Sequence, residues 1–151
     1  MMQPGEALEL QNFEPDIEGG YRRINGFSKY VSAVVPATSS DSEKILMVAT
    51  FGDFVVAARG TSIYSATAGG SSWTSRDSGR TSASKYNFER YNFDGNSKLI
   101  VVDGANAPTF FNTSMSATDV SNSDVAGSKF VVAFRSHMFY AGKSTTPQTL
   151  V

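Results

Sequence analysis

A strand-turn-strand unit recurs along this chain, and the recurrence restricts the fold more than any other feature. Phe54-Val55-Val56-Ala57-Ala58-Arg59, followed by Gly60-Thr61-Ser62-Ile63-Tyr64-Ser65-Ala66, returns as Phe130-Val131-Val132-Ala133-Phe134-Arg135, followed by Ser136-His137-Met138-Phe139-Tyr140-Ala141. Five of the six leading residues are identical. Between the two copies, Leu99-Ile100-Val101-Val102-Asp103-Gly104 leads into Ala107-Pro108-Thr109-Phe110-Phe111-Asn112 in the same order of apolar strand, turn and aromatic strand. The starting points Phe54, Leu99 and Phe130 lie 45 and 31 residues apart, bracketing the lower end of the ~40 to 45 residues per blade of some β-propellers. Hairpins duplicated within a β-sandwich would leave a similar trace. The spacing favours propeller-like blades.

The residues around these units agree with an all-β, antiparallel chain. Strand-length runs rich in β-branched and aromatic residues cover Ile45 to Phe51, Phe54 to Arg59, Ser62 to Ala66, Lys85 to Phe93, Lys98 to Asp103, Thr109 to Asn112, Phe130 to Arg135 and His137 to Ala141. Gly52-Asp53, Gly69-Gly70, Asp94-Gly95 and Asp103-Gly104 separate several of them, and such pairs suit tight hairpins because Gly and Asp tolerate positive φ. No stretch keeps a helical period over three turns. The nearly continuous apolar runs at Ile45 to Phe51 and Lys98 to Asp103 predict strands buried on both faces. The less regular run at Asn87 to Phe93 predicts an outer, twisted strand.

Residues 1–36 read differently. Pro4, Pro15 and Pro36, with glycines but no sustained period, predict an extended N-terminal arm with turns at Glu18-Gly19-Gly20 and Asn25-Gly26. Residues 37–151 are then left for about three blades. Closed propellers need at least ~4, so the circle is expected to be incomplete.

Composition narrows the function. The formal net charge is -1 and there is no Cys, so a surface that neutralises many phosphates is not expected and thiolate metal sites, disulfides and Cys nucleophiles are excluded. No run of ~18 apolar residues marks a membrane span, and the first residues lack the pattern of a signal peptide. The single imidazole, His137, sits in a predicted strand beside Met138 and Phe139, where a packed or surface role is the simpler reading. No Gly-x-Ser-x-Gly elbow accompanies it. Gly69-Gly70-Ser71-Ser72 lacks the Lys and the helix of a phosphate loop, and Asp119, Asn122, Ser123 and Asp124 lack the order of a calcium loop. No metal, cofactor or catalytic residue is expected.

Two family resemblances are carried by particular residues. Ser65 to Trp73 resembles the Asp-box hairpin of sialidase-like propellers, with Gly70, Ser72 and Trp73 in register but Ala66 and Ala68 where Ser and Asp should stand. Tyr21-Arg22-Arg23-Ile24-Asn25 is similar to the Arg-Ile-Pro segment of sialidases, with Asn25 replacing Pro. A sialidase-like or glycan-binding propeller fragment is the alternative reading. The longer resemblance starts at Ala7-Leu8-Glu9-Leu10-Gln11-Asn12-Phe13-Glu14-Pro15-Asp16 and runs into Gly19-Gly20-Tyr21-Arg22-Arg23-Ile24-Asn25-Gly26-Phe27. It resembles the N-terminal segment of the tail nozzle proteins of short-tailed bacteriophages, also called tail tubular protein B, in which an Asn-aromatic-x-Pro stretch precedes an Arg-rich, Gly-aromatic turn. Val101-Val102-Asp103-Gly104 with Ala107-Pro108, and Arg135 to Tyr140, also resemble strands of that family's β-propeller.

That resemblance implies a virion protein of the phage tail, without catalysis. It implies a homo-oligomeric ring, typically a hexamer, below a tail adaptor protein, with fibres or spikes around it and DNA as transient cargo during ejection. The interface with neighbouring subunits or the adaptor is then expected at Asn12, Phe13, Tyr21, Arg22, Arg23 and Phe27. Members of that family are several times longer than this chain.

Overall fold

The computed structural model describes residues 11–26, 28–38, 43–81 and 85–151. These residues form antiparallel strands and no helix. A short ribbon pairs β1 (Phe13–Pro15) with β2 (Tyr21–Arg23). The first large sheet is a four-stranded meander of β3 (Ile45–Phe51), β4 (Phe54–Arg59), β5 (Ser62–Thr67) and β6 (Thr74–Asp77), neighbours in space in chain order. The second repeats that plan with β7 (Asn87–Phe93), β8 (Asn96–Val102), β9 (Thr109–Phe111) and β10 (Ala117–Asp119). A third sheet holds β11 (Phe130–Phe134) and β12 (His137–Ala141).

Turn chemistry sets these registers. Asp94 and Gly95 both take positive φ, 48° and 86°, between the paired Phe93 and Asn96, the backbone that matches the right-handed twist of a hairpin. Arg135 and Ser136 adopt the same geometry, 46° and 64°, between Phe134 and His137, without a Gly to ease it. The first strands of the three sheets begin at residues 45, 87 and 130, that is 42 and 43 apart, and the second strands at 54, 96 and 137. The structural period is therefore more even than the sequence match indicated.

The sheets stack face to face. Met47, Ala49, Phe51, Val56 and Ala58 of the first sheet pack with Leu99, Val101, Phe111 and Met115 of the second, closed off by Ile63 and Tyr86. On the second sheet's other face, Ile100 and Val102 pack with Tyr140 and Val125, flanked by Val131, Met138 and Phe110. Val56 and Leu99 are fully buried, each a gain of about 1.5 to 3 kcal/mol over exposure. β7 lies beside both β3 and β11, so the first strands of the three sheets adjoin. Two side chains tie that junction: Arg90 donates to the Thr50 carbonyl at 3.1 Å, and the Asn87 amide donates to the Lys129 carbonyl at 2.7 Å.

Several expectations need adjusting. Leu99 to Val102 is buried on both faces as expected, but Ile45–Phe51 alternates, with Val48 61% exposed, because no sheet of the described residues lies on its outer side. β7 is an edge strand, as its composition suggested, yet it sits at the junction of the stack. The repeat aligns Phe54–Arg59 with Phe130–Arg135, but β4 is the second strand of its sheet and β11 the first of its own. Both begin hairpins, and hairpins of similar sidedness select similar residues. The turn at Glu18-Gly19-Gly20 forms, closed by hydrogen bonds between Asp16 and Gly20 and between Gly19 and Asp16. The turn expected at Asn25-Gly26 runs into residue 27 and so lies partly outside the described residues.

Candidate functional site

The β1–β2 ribbon carries most of the residues singled out in the arm. Asn12 enters it with φ of 62°, and its carbonyl accepts the Ile24 N–H at 2.9 Å. Phe13 pairs with Arg23, Glu14 with Arg22 and Pro15 with Tyr21. Cross-strand pairs share a face, so Phe13, Arg23, Pro15 and Tyr21 lie on one side and the Glu14–Arg22 ion pair, 2.7 Å, on the other. That pair is 44% and 60% exposed and contributes no more than about 1 kcal/mol. Phe13 and Tyr21 are exposed as well. Asn12 and Arg23 line an open recess with Ile24, Asn25 and Gly26. The structure thus gathers Asn12, Phe13, Tyr21, Arg22 and Arg23 on one solvent-facing ribbon; Phe27 lies outside the described residues.

The rest of the arm is seated on the first sheet. From Val31 to Val35 burial alternates, with Val31, Ala33 and Val35 less exposed than Ser32 and Val34. The Gly69 N–H bonds the Tyr30 carbonyl and the Ser32 N–H bonds the Gly70 carbonyl. The Trp73 indole donates to the Ala33 carbonyl at 3.0 Å, and the Arg59 guanidinium donates to the Val35 carbonyl. Trp73, the residue most typical of an Asp-box, therefore anchors the arm. Around it Gly70 donates to the Thr67 carbonyl, which keeps the hairpin turn without the missing Asp.

The most constrained polar group is Arg80, which the sequence reading did not single out. Its side chain is 4% exposed and its guanidinium bonds Asp103 at 2.9 Å, Asp77 at 2.5 Å and the Thr109 hydroxyl at 2.6 Å. Thr109 in turn donates to Asp119 at 2.6 Å. Asp103 also accepts the backbone N–H groups of Ala105 and Asn106 and the Asn106 amide. Burial works against the Arg80 charge, but the two carboxylates outweigh it and hold its pKa above the ordinary arginine value. Burial likewise opposes the Asp103 charge, and the hydrogen bonds from Asn106, Ala105 and Arg80 still leave its pKa below the usual carboxylate range. Tyr86 lies 5.6 Å beneath the guanidinium, and its hydroxyl is buried with no hydrogen-bond partner among the described residues. Burial raises the Tyr86 pKa, an effect that the Arg80 charge only partly offsets.

This network locks the end of the first sheet to the second. The guanidinium of Arg80 and both carboxylate oxygens of Asp103 are bonded to partners inside the protein, which makes the network a tie between the two sheets. A signal existed in the Asp103-Gly104-Ala105-Asn106 turn, where a side chain capping the next N–H groups is a common device. Arg80 itself is 23 residues from Asp103, and its partners become visible only once the sheets stack.

The remaining candidates are scattered. His137 is exposed and its Nδ1 lies 2.8 Å from the Arg135 carbonyl. Asn122 caps the Asp124 N–H, Ser123 gives its carbonyl to Lys143, and Asp119 is engaged by Thr109. Among the described residues no group of three or more His, Cys, Asp or Glu side chains is arranged to hold a metal ion. No helix among them is long and apolar enough to cross a membrane. Comparison with protein-family models, with curated proteins and with solved structures finds no match for this chain.

Proposed function

We propose that this chain is a non-catalytic structural component of a short-tailed phage tail, a nozzle-like subunit of a ring that continues the DNA-ejection channel below the adaptor. The observation that carries the reading is the β1–β2 ribbon. It holds Phe13, Tyr21, Arg22 and Arg23 of the nozzle resemblance, presents Phe13 and Tyr21 to solvent, and is a two-stranded element of a kind that is marginal in water by itself. Exposed aromatic and Arg side chains on such a ribbon suit an anchor for a neighbouring subunit or the adaptor.

The body supports the same reading. Two four-stranded meanders and a two-stranded hairpin, beginning 42 and 43 residues apart and stacked with their first strands adjoining, support a reading as blades of a partial β-propeller. The near-zero charge suits a ring through which DNA passes without being held. Fibres or spikes would attach around the ring. The glycan-binding alternative has less to rest on, because Arg22, in the segment similar to the sialidase motif, is engaged by Glu14.

The test is gold labelling of a tagged chain on the virus particles that contain it, alongside Arg22→Ala and Arg23→Ala variants. Label at the tail below the capsid, with variants that fold but fail to assemble, is the expected result. Loss of binding or hydrolysis of an acidic glycan in those variants, with label absent from particles, would replace the structural reading by the alternative.

A further inference from the structure

Between the second and third sheets lies a cleft of about 280 Å³ lined by Phe93, Ile100, Phe110, Val120 and Met138, with Lys98 and Tyr140 as its polar side chains. Small-molecule sites of ~300 to 1,000 Å³ have this make-up, mostly apolar with a few converging polar groups, and the cleft stands at the lower end of that range. Strand register builds it. Lys98 and Ile100 are two residues apart on β8 and so share a face, Phe110 pairs with Ile100 from β9, and Met138 and Tyr140 pack against the same face from β12.

Both polar groups of the cleft are unspent. The Lys98 ammonium rests 4.8 Å from the Phe110 ring centroid and makes no ion pair or hydrogen bond among the described residues. Glu89, which pairs with Ile100 and so shares that face, accepts the Arg90 N–H instead. Tyr140 is only 8% exposed, and its hydroxyl likewise has no hydrogen-bond partner among the described residues. Burial raises its pKa, which keeps the phenol protonated and able to donate. Its backbone is fixed by two hydrogen bonds with Val151, 2.8 and 3.0 Å. A largely buried donor left unpaired is costly, and an acceptor brought in by a ligand relieves that cost.

We propose that this cleft binds a medium-chain alkyl carboxylate, its tail among Phe93, Ile100, Phe110, Val120 and Met138 and its carboxylate held by the Lys98 ammonium and the Tyr140 hydroxyl. Charge sets the class: a cationic ligand would meet Lys98, and a plain hydrocarbon would leave both donors unused. Packed sheets about 10 Å apart leave a slot that suits an extended tail, and the flexible Met138 can adjust to its shape. The cleft shares no residue with the β1–β2 ribbon, and its ligand is independent of any role in a tail.

Calorimetric titration of the full chain with octanoate tests it, with octylammonium as the probe of opposite charge. Octanoate should bind with a single saturable site, and octylammonium should not bind over the same concentrations. Affinity should rise about fourfold for each methylene added from hexanoate to octanoate, as burial of the tail requires. Lys98→Met keeps an apolar stem over Phe110 but removes the charge, and should weaken octanoate at least about tenfold; Tyr140→Phe keeps the ring and should weaken it about threefold to tenfold. Melting curves establish that each variant folds as the parent does. No saturable octanoate binding, octylammonium bound as tightly, or a folded variant with the parent's octanoate affinity would each overturn the proposal.

Discussion

Arg80 and Asp103 meet at 2.9 Å with side chains 4% and 0% exposed, joining the segment after β6 to the end of β8. One ion pair thereby couples the first sheet to the second from within.

Removing one partner should be costly. Arg80→Leu leaves the buried Asp103 carboxylate without its cation, a loss of about 3 to 5 kcal/mol, read from urea denaturation curves; Asp103→Ala should cost less, because Asp77 still faces Arg80. Exposed pairs behave otherwise: Glu14→Ala, which breaks the 2.7 Å contact with Arg22, should change stability by less than about 1 kcal/mol. Equal effects at the two sites would mean that the Arg80 network is not a structural lock.

Acid should act through Asp103. Its folded pKa lies below the usual carboxylate range, so the unfolded chain takes up the proton first. The stabilisation is present above the unfolded value of about 4 and is lost as pH falls through the folded value. Melting temperature should therefore drop below about pH 4, and more shallowly in Asp103→Asn, which starts from a lower stability but carries no such proton. Parallel acid profiles for the two proteins would contradict this.

Tyr86 offers an opposite test. Its hydroxyl is buried without a partner among the described residues, and an unsatisfied group of that kind costs about 1 to 3 kcal/mol. Tyr86→Phe should hold or raise the melting temperature while keeping the ring beneath Arg80. A clear loss of stability would show that the hydroxyl is bonded after all.

Ser136 occupies the left-handed region at φ of 64°, next to Arg135 at 46°. Ser136→Gly should stabilise the β11–β12 hairpin by about 1 kcal/mol, since a non-Gly residue pays roughly that much there. Calorimetry on the variant checks the sign. Destabilisation would mean that the Ser side chain holds the turn through a contact worth more than the strain.

Much of the body was legible in the sequence because its signals are local. Phe54–Arg59 and His137–Ala141 form over the expected residues, since Gly52-Asp53 and the short Arg135-Ser136 link leave few ways to connect the strands. Thr74–Asp77 and Ala117–Asp119 were missed: these outermost strands are short and polar, and sheet pairing rather than composition makes them strands. Ile45–Phe51 misled for a related reason. A run of apolar residues says that partners are wanted, not whether both faces have them. In the arm, Gly19 and Gly20 marked the β1–β2 turn, but that Trp73 would hold Ala33 depends on a contact across 40 residues. Arg80 stayed hidden on the same grounds.

The central claim is that several copies of this chain surround an axis in a virus tail. Electron-microscopic averaging of gold-labelled particles tests it most directly. Several labels per particle, arranged around the tail axis below the capsid, are expected; a single label, or label anywhere else in the particle, would contradict the ring.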